Sequence, residues 1–217
     1  AAYMAHGGAV PVLRALLNSE VKFITTELTN PYYTITFDDL GFSSVGWGWQ
    51  YKFQGPLNIT HGQQNITLSG GTCRVWYGTS GFGGALWNSD KPWLGVTSGK
   101  IGDFMIVGGD SPVRSCLFQV NPPITAFTMR ITATPAPAIS SIQVFDSDGL
   151  PIDCFSSVPY VTGTSGYAVL GAYSNNLIGS FSLVADSTAT VQADNIQLLT
   201  CGNDYIFNGT DCVGKLI

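Results

Sequence analysis

The sequence predicts an all-β protein, an antiparallel β-sandwich, and three observations support this. Runs of β-branched and aromatic residues recur along the chain. Glycine, proline, asparagine and serine separate these runs at the spacing typical of sandwiches and barrels. The 217 residues are enough for one large sandwich with a substantial hydrophobic core. We therefore expect a sandwich domain over residues 31–217, preceded by an N-terminal arm over residues 1–30.

The strands are predicted from the apolar runs and their flanking turn residues. In chain order they cover residues 21–28, 32–37, 47–53, 65–69, 72–77, 104–107, 113–120, 124–132, 139–145, 166–171, 177–185 and 190–199. Between two of these runs, residues 146–149 read Asp-Ser-Asp-Gly, which predicts a hairpin turn with Gly149 at positive φ. Residues 201–212 are rich in turn formers and predict a loop closed by its two terminal cysteines.

The first thirty residues differ from the rest. Residues 9–17 read AVPVLRALL, which is compatible with a short helix that has Pro11 in its first turn, or with an extended segment. Such an arm has two physical outcomes: it packs on its own domain, or it completes the sheet of a neighbouring copy. Repeated head to tail, the second contact builds an open filament. The arm residues expected to make it are Val10, Val12, Leu13, Leu16, Val21, Phe23 and Ile24.

Charge is unusually scarce. Only 11% of the residues are charged, against about 25% in an ordinary soluble domain, and the mean hydropathy is +0.21. A surface so poor in charge tends to associate, so we expect glycans or sister subunits to cover part of it. The net charge of −5 and the scattered basic residues exclude a nucleic-acid partner. No run approaches the roughly 20 apolar residues of a membrane span.

Cysteines and glycosylation motifs point to an oxidising, secretory route. N-x-T acceptors stand at Asn58, Asn65 and Asn208. The five cysteines show no metal-site spacing, and we predict the disulfides Cys201–Cys212 and Cys73–Cys116, with Cys154 left over. Because the chain begins Ala-Ala-Tyr, we expect a processed chain or a fragment. The predicted location is extracellular.

Four segments resemble the secreted jelly-roll domains of the galactose-binding-like type. They are residues 36–40 (TFDDL), 45–51 (VGWGWQY), 140–152 (SSIQVFDSDGLPI) and 179–199 (GSFSLVADSTATVQADNIQLL). The resemblance implies a two-sheet antiparallel sandwich in which an early strand bearing Phe-Asp-Asp lies beside a late strand bearing Asp-Asn-Ile. It implies no activity, because such folds host many functions.

The same two strands suggest a structural calcium site at Asp39 and Asp194, since Ca²⁺ prefers carboxylate and carbonyl oxygens. The competing interpretation is that the early aspartate caps a turn and Asp194 bonds nearby backbone. No other cofactor is expected. No catalytic residues are predicted, because two histidines and no G-x-S-x-G leave no Ser-His-Asp arrangement. His61 is interpreted as a plain surface histidine in a polar turn.

Aromatic residues raise a second functional hypothesis. The alternating residues Trp47, Trp49, Tyr51 and Phe53 share one strand face, where core packing and sugar stacking are both open. The glycine-rich stretch 76–93 holds further rings that suit stacking on a sugar, plugging a barrel end, or a subunit contact. Its candidate sugar-stacking residues are Tyr77, Phe82, Trp87 and Trp93.

These observations predict an extracellular structural glycoprotein that assembles with copies of itself, in fibres joined through the N-terminal arm. The alternative is a carbohydrate-binding module that uses the aromatic loop 76–93, with a polysaccharide as its partner. An enzyme is not expected.

Overall fold

The computed structural model describes residues 21–36, 43–45, 48–52, 56–69, 73–77, 103–107, 114–134, 140–156, 168–185 and 190–215. Within these residues every regular element is a β-strand, as the sequence predicts. The strands are β1 (Lys22–Ile24), β2 (Tyr33–Ile35), β3 (Ser43–Val45), β4 (Gly48–Lys52), β5 (Leu57–His61), β6 (Gln64–Ser69), β7 (Cys73–Tyr77), β8 (Asp103–Val107), β9 (Arg114–Thr134), β10 (Ser140–Phe145), β11 (Pro151–Ser156), β12 (Ala168–Ala185), β13 (Thr190–Leu199), β14 (Tyr205–Phe207) and β15 (Cys212–Gly214).

The protein is an antiparallel sandwich whose two sheets share the long strands β9 and β12. Sheet one has the order β11-β10-β12-β9-β6-β5 and uses residues 178–185 of β12 and 114–121 of β9. Sheet two pairs residues 168–173 of β12 with the second half of β9 and adds β1 on one side and β13 on the other. Beyond β13 lie β2 and the series β8-β7-β4-β3.

Register shifts mark where β9 and β12 cross from one sheet to the other. Between Tyr173 and Ile178 of β12 the pairing with β9 is interrupted, and it resumes in the other sheet. The sequence predicts four separate strands here, over residues 113–120, 124–132, 166–171 and 177–185. The structure joins them into two continuous strands, β9 and β12, which bend at residues 121–123 and 174–177. We call the end of the sandwich that holds these bends the corner edge.

Three stacked phenylalanines show that the two sheets lie face to face. Phe118 and Phe181 are cross-strand partners in sheet one, with ring centroids 4.7 Å apart. Phe127 belongs to sheet two, yet its ring stacks on Phe181 at 3.9 Å. All three side chains are buried. The hydrophobic core therefore fills the space between the halves of β9 and β12, as sandwich packing requires.

The predicted turn over residues 146–149 is confirmed. Gly149 has φ +77° and its N–H donates to the Asp146 carbonyl at 3.1 Å. The Asp146 carboxylate accepts from the N–H groups of Asp148 and Leu150, each at 2.9 Å. A Cβ on Gly179 would lie 2.5 Å from the Asp146 carbonyl oxygen, so β12 approaches this turn as closely as a glycine permits.

A second small core covers the outer surface of sheet two. Residues 24–28 and the β14–β15 hairpin pack there, and the buried members are Ile24, Leu28, Ala126, Tyr173 and Phe207. The Gln197 side-chain oxygen accepts from the Leu28 N–H at 2.8 Å and from the Thr128 hydroxyl at 2.9 Å. Glu27 also pairs with Arg130 at 2.5 Å. The C-terminal segment predicted as a loop is thus a hairpin packed on the sheet.

Candidate functional site

An aromatic group lies at the corner edge, where the β5–β6 hairpin meets β2. It consists of Tyr32, Tyr33 and His61, and we call it the aromatic corner. His61 ends β5 on the side of that strand that faces the core, and Tyr33 begins β2 in the opposite sheet. The imidazole therefore lies where the two sheets come together at the hairpin turn.

The three rings make ordered contacts. The His61 ring stacks on Tyr33 with centroids 4.2 Å apart and an interplanar angle of 8°. Tyr32 meets the same imidazole edge to face at 5.9 Å and 76°. Tyr33 is partly buried against the core, whereas Tyr32 is 50% exposed. One tyrosine thus anchors the imidazole, and the other presents its ring to solvent.

The surrounding backbone fixes this arrangement. The Tyr32 N–H donates to the Leu198 carbonyl at 2.8 Å, which ties the residue to β13. Gly62, at φ +58°, makes the hairpin turn, and a Cβ there would come 2.9 Å from the Tyr32 hydroxyl oxygen. The buried side chain of Gln64 donates to the Pro122 carbonyl at 2.8 Å and fastens the hairpin to the β9 bend. The glycine lets the tyrosine lie close across the turn.

Sequence reasoning missed the aromatic corner. The prediction that His61 is at the surface is confirmed, since the residue is exposed, but its ring is stacked and not isolated. Strand β5 was also not predicted. Its signal is present in residues 57–61, where alternate positions are apolar and Gly62 follows as a hairpin turn.

Two predicted glycan acceptors, Asn58 and Asn65, lie on the same face of the β5–β6 hairpin. Asn58 lies opposite Thr67, and Thr60 lies opposite Asn65. The Thr67 hydroxyl donates to the Asn58 side-chain oxygen at 2.9 Å, and the Thr60 hydroxyl to that of Asn65 at 3.0 Å. Both asparagines are exposed on the outer face of the hairpin, opposite the face that carries His61. Glycans on them would leave the aromatic corner open.

The third acceptor, Asn208, lies at the tip of the β14–β15 hairpin. Its side-chain oxygen accepts from the N–H groups of Thr210 and Asp211, each at 2.9 Å. This Asx turn engages the carbonyl oxygen of an exposed side chain. All three predicted acceptors are therefore at the surface, and their glycosylation stays a prediction.

One predicted disulfide is present. Cys201 and Cys212 are bonded, with Cα atoms 5.5 Å apart. Cys116 is buried and disulfide-bonded as well. The register places Cys154 opposite Gln143, with β12 between β10 and β9, so three strand spacings of about 4.8 Å separate its backbone from that of Cys116. A disulfide needs Cα atoms within about 7 Å, which excludes this pairing. The bond Cys73–Cys116 stays a prediction, as does the unpaired role of Cys154.

The predicted arm lies partly within its own domain. β1 pairs antiparallel with β12, Lys22 opposite Tyr173 and Ile24 opposite Gly171. Val21 is buried in the main core, Phe23 packs against it, and Ile24 belongs to the second core. Val10, Val12, Leu13 and Leu16 lie outside the described residues. The contact with a neighbouring copy stays a prediction.

The predicted calcium ligands are not brought together in the described residues. Asp39 lies outside them, and Asp194 is buried in β13 opposite Arg130, next to a register shift. In the part of the chain that the structure describes, no three metal-ligating side chains form a group. β2 lies beside β13, with Ile35 opposite Ile196, but the Phe-Asp-Asp residues 37–39 lie outside the described residues, so the strand pairing that the resemblance implies for them stays a prediction.

The aromatic stretch 76–93 contributes little to the described structure. The backbone of Tyr77 ends β7 opposite Asp103, while Phe82, Trp87 and Trp93 lie outside the described residues. Their role in sugar stacking stays a prediction. Among the described residues, no helix is long and apolar enough to cross a membrane.

Comparison with known proteins gives fold-level neighbours only. No family model and no curated protein matches the sequence. A Stig cyclase from Fischerella sp. TAU is 10% identical, covers 82% of this chain and 97% of its own, and has a TM-score of 0.42. The CBM22-1 xylan-binding domain from Paenibacillus barcinonensis is 12% identical over 82% and 99%, with a TM-score of 0.35. A family 29 carbohydrate-binding module is 8% identical over 86% and 94%, with a TM-score of 0.31. At this similarity the function has to be argued from the residues of the chain itself.

Proposed function

We propose that this domain is an extracellular carbohydrate-binding module that contacts a polysaccharide through its aromatic corner. The observation that carries the proposal is the half-exposed ring of Tyr32, held edge to face against an imidazole that is itself stacked on Tyr33. Aromatic rings have negatively charged faces that attract the C–H groups of a sugar ring. A ring fixed by its neighbours also loses little conformational entropy on binding.

A polar group beside the rings suits a sugar. The amide of Gln63 is exposed at the hairpin turn, whereas the amide of Asn30, two residues before Tyr32, contacts the Asp211 carboxylate at 3.5 Å. Binding sites for small molecules and sugars combine apolar surface with a few polar groups that fix orientation. The loop 76–93, with Tyr77, Phe82, Trp87 and Trp93, remains a proposed second contributor to the same function. The disulfide Cys201–Cys212 and the three exposed glycan acceptors support a secreted protein.

Binding of a panel of plant, fungal and bacterial polysaccharides in affinity gels tests the proposal. Tyr32→Ala should weaken binding of the retained polysaccharide at least tenfold, about 1.4 kcal/mol. Tyr205→Ala is the matched control, because Tyr205 is 51% exposed but lies on the C-terminal hairpin. Retention that is equal in both variants, or no retention of any polysaccharide by the parent protein, would refute the proposal.

We propose self-assembly as a second candidate function, with fibres of an extracellular glycoprotein as the product. Its support is an apolar surface on the β14–β15 hairpin, where Ile206 and Val213 lie opposite each other, both exposed, beside Tyr205. The low charge content supports it too. The proposal includes that the N-terminal arm, residues 1–30, joins one copy to the next.

Removal of residues 1–20 tests the assembly, because it spares Val21, Ile24 and Leu28, which are buried in the domain's own cores. Sedimentation and electron microscopy should show assemblies for the full chain and monomers for the shortened one. Assemblies that persist after the deletion would rule out the arm as the joining element.

A further inference from the structure

Exposed apolar side chains continue from the aromatic corner along the whole corner edge. Besides Tyr32, the edge carries Leu177 in the β12 bend, 36% exposed, and Leu150 in the β10–β11 turn, 40% exposed. Between Tyr32 and Leu177 lies the β9 bend with the exposed Pro122. The order of the strands in sheet one places these segments in a row: β5–β6 turn, β9 bend, β12 bend, β10–β11 turn.

Leu177 has an unusual backbone conformation. This residue has φ +64°, a conformation that costs a bulky side chain free energy and is found mainly where the surrounding structure enforces it. The preceding turn is held by a hydrogen bond from the Asn176 N–H to the Ser174 hydroxyl at 3.2 Å. On the other side, Gly179 lies tightly against the Asp146 carbonyl. The β12 bend and the β10–β11 turn therefore form one continuous surface.

The length and chemistry of this row indicate its ligand. From the β5–β6 turn to the β10–β11 turn the row crosses four strand spacings, about 19 Å, which is several sugar rings long. Residues 61–64, 121–123, 146–150 and 174–177 contain no Lys or Arg, so an anionic membrane is not favoured. The exposed amides of Asn121 and Asn176 alternate with the apolar groups, and such side chains bond to sugar hydroxyls.

We infer that a neutral polysaccharide chain lies lengthwise along the corner edge, from Tyr32 past the β9 bend to Leu177 and Leu150. The inference rests on the proposed function and deepens it: the ligand is the interior of an extended chain of several sugar units, not a single terminal sugar. Tyr32 binds one end of the bound stretch, and the two leucines contact the sugars at the other end.

Calorimetry with purified oligosaccharides of two, four and six units, taken from the polysaccharide retained in the affinity gels, tests the inference. Affinity should rise at least tenfold from the disaccharide to the hexasaccharide. Leu177→Asn, which suits the positive φ, should weaken the hexasaccharide about fivefold and leave the disaccharide unchanged. Leu150→Ser should act in the same direction. Val213→Asn is the matched control, with an exposed fraction of 37% on the C-terminal hairpin.

The results separate the inference from the proposed function. Equal affinity for oligosaccharides of all lengths, with no effect of Leu177→Asn or Leu150→Ser, overturns the lengthwise site. In that case, a loss of affinity in Tyr32→Ala still supports a sugar site at the aromatic corner. Binding that is unchanged in Tyr32→Ala overturns both. Binding to phosphatidylcholine vesicles that depends on the two leucines and is not competed by the hexasaccharide also overturns the inference, in favour of a lipid surface.

Discussion

The C-terminal disulfide provides a stability prediction that can be worked out from the structure. Removing it with the double change Cys201→Ala and Cys212→Ala frees a loop with a sequence separation of 11 residues. In the chain-entropy model, closing a loop of this length stabilises the folded state by about 2.8 kcal/mol at room temperature. For a chain of this size, that loss corresponds to a fall in Tm of roughly 6–11 °C.

The same hairpin carries part of the second core. Phe207 packs edge to face on Tyr173 at 5.0 Å, and its N–H donates to the Asn175 side-chain oxygen at 3.2 Å. Urea unfolding of the oxidised proteins, followed by circular dichroism, gives both the free energy of unfolding and the m-value. We expect the free energy of unfolding to fall by about 2.8 kcal/mol and the m-value to stay unchanged. The contacts of Phe207 should keep the hairpin packed on the sheet without the disulfide.

Two results would contradict this reasoning. A loss below about 1 kcal/mol would mean that the loop closure contributes little to the stability of the whole domain. A clearly lower m-value would mean that the hairpin detaches from the sheet in the variant, so that its packing depends on the disulfide. Binding of the hexasaccharide to the double variant serves as a control and should be unchanged.

Three further predictions concern the core, the bend and the glycans. Phe181→Ala should lower the free energy of unfolding by about 3–5 kcal/mol in urea titrations, since the ring is buried between Phe118 and Phe127; a loss under 1 kcal/mol would contradict the face-to-face packing. Leu177→Gly should raise the free energy of unfolding by roughly 0.5–1 kcal/mol, because removing the steric strain of a leucine at positive φ exceeds the entropic cost of glycine. A lower free energy of unfolding in this variant would count against strain at the bend. In protein from a eukaryotic secretory host, mass spectrometry should find glycans on the peptide with Asn58 and Asn65, and unmodified asparagines in both would contradict the secretory assignment.

Much of the fold can be predicted from the sequence because local patterns determine it. The alternation in residues 64–69 specifies one buried face of β6, and the structure has it. The Asp-Ser-Asp-Gly turn is predictable since Gly149 needs a positive φ. The continuity of β9 and β12 could not be predicted, because prolines and polar residues at the bends look like strand ends. Each strand continues through its bend because its two halves pair with neighbouring strands on either side of the bend.

The candidate site was less predictable. Tyr32 and Tyr33 read as an ordinary strand start, and His61 reads as a surface residue 28 positions later in the chain. They meet because β2 belongs to one sheet, the β5–β6 hairpin to the other, and the sheets close on each other at the corner edge. No local pattern encodes this contact. The sequence instead predicts a sugar site in the aromatic-rich stretch 76–93. The rings of the aromatic corner lie outside that stretch.

The proton signals of the His61 imidazole give the most direct test of a sugar site at the aromatic corner. The chain has two histidines, so His6→Gln leaves one set of ring signals to follow by NMR. On titration with the hexasaccharide, we expect the His61 signals to shift progressively and to saturate at the affinity measured by calorimetry. Saturated sugar binding with unmoved His61 signals would contradict the account, because no sugar could then rest on the rings that enclose this imidazole.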